Sequence, residues 1–315
     1  MIVSASRRTD IPAFYSNWFF NRIKEGFVRV RNPMNIHQVS EIDLNPEVVD
    51  CIVFWTRNSK KMINQLDILN DYVYYFQYTI TGFGRNLEPN VPPLDESIRN
   101  FKKLSDKIGP SGVIWRYDPI IITDKQNVDF HVDQFTNIAD KLAGYTKRCV
   151  ISFVDFYKKT VRNLENTNYK QFTQNDISEI SMQISKIGNS HGMNIVSCAE
   201  EYDLAGFGID PGKCIDDKII SEISGYSYDI GKDKNQRSDC GCVASIDIGA
   251  YNTCPHNCLY CYANYNQQKV FENYKYHDPN STLLLGQLEP ADKVTKRKVV
   301  SCKLMQEILF KNKSH

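Results

Sequence analysis

Short runs of apolar, β-branched and aromatic residues recur at 2–4, 51–55, 72–80, 113–117, 149–154, 194–198 and 245–248, with a smaller one at 27–30. Runs of this length and composition predict strands. Most stretches between them follow a helical period instead. Ile98, Phe101, Leu104, Ser105 and Ile108 share one face of a helix, as do Phe135, Ile138, Ala139 and Leu142. Asp95 and Glu96 mark the start of the first, and Gly109-Pro110 its end. A third helix is expected over 176–187, stopped by Gly188.

Strand and helix alternating in this way predict βαβ units and a parallel sheet. Seven or eight such strands favour a closed or partly closed α/β barrel, TIM-like, over an open sheet. No Gly-, Ser- or Pro-rich linker divides the chain. The expected organisation is a (βα) barrel over 1–249 and a cysteine-bearing segment and tail, 250–315, packed on it. In such a barrel the chemistry lies where strands end and loops begin. There the sequence delivers Ser6-Arg7-Arg8-Thr9-Asp10, Thr56-Arg57-Asn58, Arg116 with Asp118, Asp155, and Glu200-Glu201. These groups suit a ligand carrying a carboxylate and ribose-like hydroxyls. Structural ion pairs tying loops to the rim are the competing reading, and Gly82-Phe83-Gly84 reads equally well as a plain turn.

Composition narrows the class. The 315 residues, 42% hydrophobic, can bury a sizeable core. Lys+Arg 38 against Asp+Glu 37 asks for neither nucleic acid nor an anionic membrane. No apolar run is long enough to span a bilayer, and the first ten residues lack the order of a signal peptide. The expectation is a soluble, cytoplasmic protein without a membrane partner.

Seven of the ten cysteines fall between Cys198 and Cys261. Clustered thiols in a reducing compartment point to metal rather than disulfides. Cys51, Cys149 and Cys302, beside apolar neighbours, read as small core residues. The sharpest motif is Cys254-Pro255-His256-Asn257-Cys258-Leu259-Tyr260-Cys261. Three thiolates so spaced can hold three corners of a 4Fe–4S cube and leave one iron open to a small molecule. A zinc site drawn from Cys240, Cys242, Cys258 and Cys261 is the alternative, and a ferredoxin-type carrier lacks its fourth cysteine at short spacing.

This motif resembles the Cys-x-x-x-Cys-x-aromatic-Cys loop of the radical S-adenosylmethionine (radical SAM) superfamily. The resemblance implies a 4Fe–4S cluster on Cys254, Cys258 and Cys261, with Tyr260 beside the adenine or the cluster. It further implies an oxygen-sensitive enzyme that reductively cleaves S-adenosyl-L-methionine to start radical chemistry, fed by an electron donor such as flavodoxin or ferredoxin. Arg7, Arg8 or Arg116 would take the cofactor carboxylate, and Asp10, Asp118, Asp155 or Glu200 its ribose. The superfamily's glycine-rich segment for the amino group is not recognisable here. In that superfamily the loop follows the first barrel strand, whereas here only 54 residues (315 − 261) follow Cys261. The barrel must then precede the loop, with strand 245–248 lying next to strand 2–4 as in a circular permutation. Segments 4–12, 54–58, 236–242 and 247–251, and the run ending at Asn264, also resemble an uncharacterised bacterial family with such cysteines at its C-terminal end. That family supplies no substrate.

Many radical SAM enzymes carry an auxiliary cluster. By that resemblance Cys198, Cys214, Cys240 and Cys242 would hold a second one, with structural zinc or unliganded thiols as alternatives. In the tail, 281–286 reads as a strand or a lid, and the basic run 293–298 as a phosphate contact or a solvated face. A nonenzymatic iron–sulfur or zinc protein is the second functional class. A DNA-lesion repair enzyme like spore photoproduct lyase is a third, resting on the basic run alone.

Overall fold

The computed structural model describes residues 1–304. Eleven strands are formed among them: β1 Ile2–Ala5, β2 Phe27–Asn32, β3 Asn35–Asp43, β4 Cys51–Thr56, β5 Tyr74–Thr79, β6 Val113–Ile120, β7 Arg148–Phe153, β8 Asn194–Cys198, β9 Asp210–Gly212, β10 Ile246–Asp247 and β11 Lys293–Lys296. The helices are α1 Ile11–Phe14, α2 Ser16–Glu25, α3 Leu94–Ile108, α4 Val128–Leu142, α5 Lys158–Leu164, α6 Gln174–Ser190, α7 Asp217–Ser224 and α8 Gln267–Lys275. No helix among the described residues is long and apolar enough to cross a membrane.

Eight strands form one parallel sheet in the order β10-β1-β4-β5-β6-β7-β8-β9. The chain is therefore α/β with helices crossing between neighbouring parallel strands, as the alternating pattern predicts. No ladder joins β9 to β10 among the described residues, so the eight strands form an open series rather than a ring closed by hydrogen bonds. The strand from the far end of the sequence does lie beside the first. β10 pairs in parallel with β1, Val3 against Ile246 and Ser4 against Asp247.

Both faces of the sheet are covered, which is why its strands read as continuous apolar runs. Val3, Ile52, Phe54, Phe76, Trp115 and Ile151 pack with the helices in the main core. The alternate residues Ile2, Val53, Tyr75, Ile114, Val150 and Val196 meet Ile215, Ile219, Ile220 and the sulfurs of Cys214, Cys240 and Cys242. Two of the cysteines expected in the core, Cys51 and Cys149, are fully buried, but Cys302 is only half-buried. Its backbone, not its side chain, is anchored: the Cys302 amide donates to Asp50 Oδ2 at 2.8 Å.

Several details depart from the sequence pattern. α6 does not stop at Gly188 but runs on to Ser190. A Cβ at Gly188 would lie 2.2 Å from Ile195 Cδ1 on β8, so this glycine permits close packing instead of ending the helix. β3, β9 and β11 carry little apolar signal; only Val39 and Ile42 of β3 are buried and all of β11 is exposed. The basic run is thus largely strand: β11 pairs in parallel with β3, and β3 with β2 in antiparallel. Segment 281–286 forms no strand and meets β2 through one bridge, Arg29 to Leu283.

Candidate functional site

The loop bearing Cys254, Cys258 and Cys261 leaves the C-terminal end of β10, at the edge of the sheet where parallel α/β folds place their ligands. Asp247 fixes that edge. It accepts from Ser4 Oγ at 2.8 Å, Ser6 Oγ at 2.7 Å, the Arg7 amide at 2.9 Å and the Gly249 amide at 3.0 Å. Gly249 passes so close to β1 that a Cβ would lie 2.1 Å from Ser6 Oγ. Asn252 and Asn257 adopt left-handed backbone angles, φ 56° and 54°, which asparagine tolerates better than most residues.

Side chains from distant segments hold the loop by its carbonyls. Tyr15 donates to Thr253 O at 2.6 Å, Asn90 to Pro255 O at 2.8 Å, Asn163 to Leu259 O at 3.0 Å and Asn264 to Cys254 O at 2.7 Å. His256 Nε2 meets Asp10 Oδ2 at 3.0 Å. Burial, then the charge of Asp10, and less so the thiols of Cys261 and Cys258, push Cys254 well above the ordinary thiol range. Burial likewise takes Cys258 up to about 12, against the pull of Arg57.

Beside the loop, Arg57 Nη1 donates to Glu88 Oε1 at 2.7 Å and Thr81 Oγ1 donates to the same oxygen at 2.6 Å. The Tyr260 hydroxyl completes this group, accepting from Arg57 Nη2 and donating to Glu88. A cavity of about 240 Å³ adjoins it, lined among others by Arg57, Thr79, Thr81, Gly82 and Glu88. That is below the roughly 300–1,000 Å³ of a typical cofactor pocket.

The second set of cysteines converges on the sheet face opposite the main core. Cys198 Sγ lies 2.8 Å from Cys214 Sγ, and the amides of Cys214 and Ile215 donate to Cys242 Sγ at 3.3 and 3.4 Å. Cys240 in turn hydrogen-bonds Cys242. Hydrogen bonds from Cys214 and Cys240, with the charge of Arg7, hold Cys242 far below the usual thiol range. The contact with Cys214, aided by Arg116, lowers Cys198 to about 7. Their thiol neighbours and burial raise Cys214 and Cys240. Arg116 Nη1 donates to Cys214 Sγ at 2.9 Å, and Gln77 and Tyr75 donate to Cys214 O at 2.8 and 2.7 Å.

The residues expected to bind S-adenosylmethionine therefore have varied surroundings. Asp10 caps α1 and accepts from Ala13 N, Thr56 Oγ1, Arg57 N and His256, so its oxygens are already engaged. Arg116 pairs with Asp118 and Cys214, and Asp118 also accepts from Ser152. Asp155 makes an exposed ion pair with Arg237, 2.7 Å long. Glu200 accepts from the Phe153 amide at 2.9 Å, and burial raises its carboxyl to about 8. Arg8 stacks over Tyr251 at 5.0 Å, half-exposed. Arg7 lies over Trp55 at 5.3 Å, bonds Cys242, and takes the Tyr262 hydroxyl on its carbonyl at 2.7 Å. It thus stands between the two sets of cysteines. Glu88, His256 and Asp247 carry no local signal of a role, since their partners lie far away in sequence.

Among the described residues, the only three or more His, Cys, Asp or Glu side chains with all ligand atoms within 4.8 Å are His37, Glu289 and Asp292. Asp292 is already taken by Arg31, with two bonds of 2.6 Å.

A family model described as a domain of unknown function, DUF1848, matches residues 2–263. That span covers the whole eight-stranded sheet and both sets of cysteines. No curated protein and no solved structure matches the chain.

Proposed function

The chain belongs to the DUF1848 family, and on that premise we propose that it is a radical S-adenosylmethionine enzyme whose 4Fe–4S cluster is held by Cys254, Cys258 and Cys261. One observation carries the reading. The three-cysteine loop springs from β10, β10 pairs in parallel with β1, and the polar rim at the C-terminal ends of the sheet surrounds it. This arrangement supports a barrel-type scaffold permuted so that its first strand comes last in sequence.

The donor set fits the group. Three thiols share one short loop whose backbone carbonyls accept from Tyr15, Asn90, Asn163 and Asn264. Four protein thiolates would close the coordination, whereas three leave one iron open. When bound, such a cluster supplies that open iron for the methionine moiety and an electron for cleaving its sulfonium bond. The chain's own residues do the rest. Arg57, tied to Glu88 and Tyr260, sets its guanidinium near Cys258 and lowers that thiol, while the paired Glu88 carboxylate acts against it. Arg7 and Arg8 stand on the β10 side, where their guanidiniums can take a carboxylate. Phe83, packed edge-on to Tyr260 at 6.2 Å, and Leu87 keep that side of the loop dry.

The test is anaerobic reconstitution of the full chain with iron and sulfide, followed by dithionite and S-adenosylmethionine. The expected result is a brown protein whose visible absorbance bleaches on reduction and which releases 5′-deoxyadenosine. Cys258→Ser abolishes that product. Reduced, iron-loaded protein that binds S-adenosylmethionine without releasing 5′-deoxyadenosine overturns the reading. So does a colourless protein with one zinc at the loop.

A further inference from the structure

We propose that Cys198 and Cys214 are a redox-active dithiol that closes into a disulfide by exchange with a low-molecular-weight disulfide. The geometry argues this independently of the three-cysteine loop. Cys198 Sγ and Cys214 Sγ lie 2.8 Å apart, about 0.8 Å beyond the bonded separation of about 2.05 Å. One tetrahedral zinc, with zinc–sulfur bonds of about 2.3 Å, would hold two sulfurs about 3.8 Å apart. Ligands to two irons of a cube stand farther apart still, because each sulfur points outward from its own iron. Two thiols this close are spaced for a bond to each other rather than to a shared metal. The sheet sets this spacing. β8 and β9 run parallel with Cys198 opposite Gly212, and Cys214 lies two residues further on. A Cβ at Gly212 would lie 2.6 Å from Val196 Cγ2 and 2.9 Å from Ser197 O, so the bare glycine lets the two strands approach. Cys214 is then fixed from behind. Gln77 and Tyr75 donate to its carbonyl, and its own amide donates to Cys242 Sγ at 3.3 Å.

Exposure divides the roles. Cys198 is half-buried at the end of β8, whereas Cys214 is buried. Cys198 therefore meets the incoming disulfide. It loses its proton to water and attacks one sulfur, the S–S bond of the reagent breaks, and the outer half leaves as a thiolate. Cys214 passes its proton to that thiolate and attacks Cys198 Sγ, and the second half leaves and takes a proton from water. The two protein thiols have then lost two electrons and two protons, and the reagent has gained them as two free thiols. Arg116 Nη1, 2.9 Å from Cys214 Sγ, stabilises the thiolate that the second attack requires. Excess thiol drives the same steps backwards.

The test uses the full chain carrying Cys254→Ser/Cys258→Ser/Cys261→Ser, so that no loop thiol takes part. Oxidised glutathione is added to the reduced protein, free thiols are alkylated and tryptic peptides are mapped. Lys213 places the two cysteines on different peptides. The expected result is the loss of two thiols per chain and one disulfide joining Cys198 to Cys214, reversed by excess reduced glutathione. Adding Cys214→Ser should stop the reaction at one glutathione on Cys198, and adding Cys198→Ser should leave Cys214 unmodified. Should the loop variant precipitate, the parent chain mapped in the same way decides, since Arg237 and Lys269 put the loop on a separate peptide. Unchanged thiols, a link between any other pair such as Cys240 and Cys242, or glutathione retained on Cys198 beside an intact Cys214 overturns the inference. So does iron or zinc that the loop variant holds and that Cys198→Ser releases. None of these outcomes touches the loop's proposed cluster, whose cysteines the variant lacks.

Discussion

At the scale of single residues, polar side chains in this protein serve as fasteners more often than their positions in sequence imply. Asp10 lies where a ribose-binding carboxylate was expected, yet four donors from α1, β4, the residue after it and the cysteine loop converge on it. Asp10→Ala orphans all of them, and we expect a loss of about 3–5 kcal/mol in urea unfolding. Asp10→Asn, which keeps one acceptor oxygen, should cost less. His131 offers a second test. Its Nε2 donates to Ile121 O and its Nδ1 accepts from Tyr117, both at 2.9 Å, a pairing only the neutral ring can make. Burial lowers its pKa from 6.5 to about 4. Below pH 6.5 the unfolded chain takes up the proton first. The ring's contribution, full above that pH, therefore drains away as pH falls towards 4, by up to about 3 kcal/mol. Urea midpoints measured across this window should fall less steeply for His131→Gln than for the parent.

At the scale of elements, the periodic helices and the apolar strands stand where the pattern puts them, because both rest on local burial. Where the pattern errs, a partner elsewhere decided. Gly188 looks like a helix stop, but it lies within α6 because β8 passes too close for a side chain. Alanine in a helix interior normally gains about 1 kcal/mol over glycine. Here the overlap with Ile195 should outweigh that by costing about 1–3 kcal/mol. Gly188→Ala is expected to lower the melting temperature, and Ile195→Val in the same chain to recover part of the loss. β3 and β11 were illegible for a related reason. An edge ribbon exposed to water needs only hydrogen-bonding partners, and those partners lie far apart in sequence.

At the scale of the whole molecule, the sheet is firm in its middle and short at its ends. β4 to β7 are six to eight residues each and flanked by strands on both sides, whereas β9 and β10 are three- and two-residue edges. Amides of β5 and β6 should exchange slowest with deuterium, and the paired amides at β10 orders of magnitude faster. Equal protection at both places would show that the β10 edge and its loop open only with global unfolding. The β10 edge also bears the three-cysteine loop, so its many side-chain anchors supply what a two-residue ladder cannot.

The sequence by itself determined the α/β class, the parallel strands and the grouping of thiols, because hydrophobic period and cysteine spacing are local properties. It also marked Arg57, Arg116 and Asp118 as rim residues. Tertiary structure alone decided that Asp10 is a fastener, that Glu88 joins Arg57 and Tyr260, and that Arg7 stands between the two sets of cysteines. Those relations join residues up to 255 positions apart, as Tyr262 and Arg7 are. Only the folded path of the backbone, through which sheet order and burial bring such groups together, carries that information.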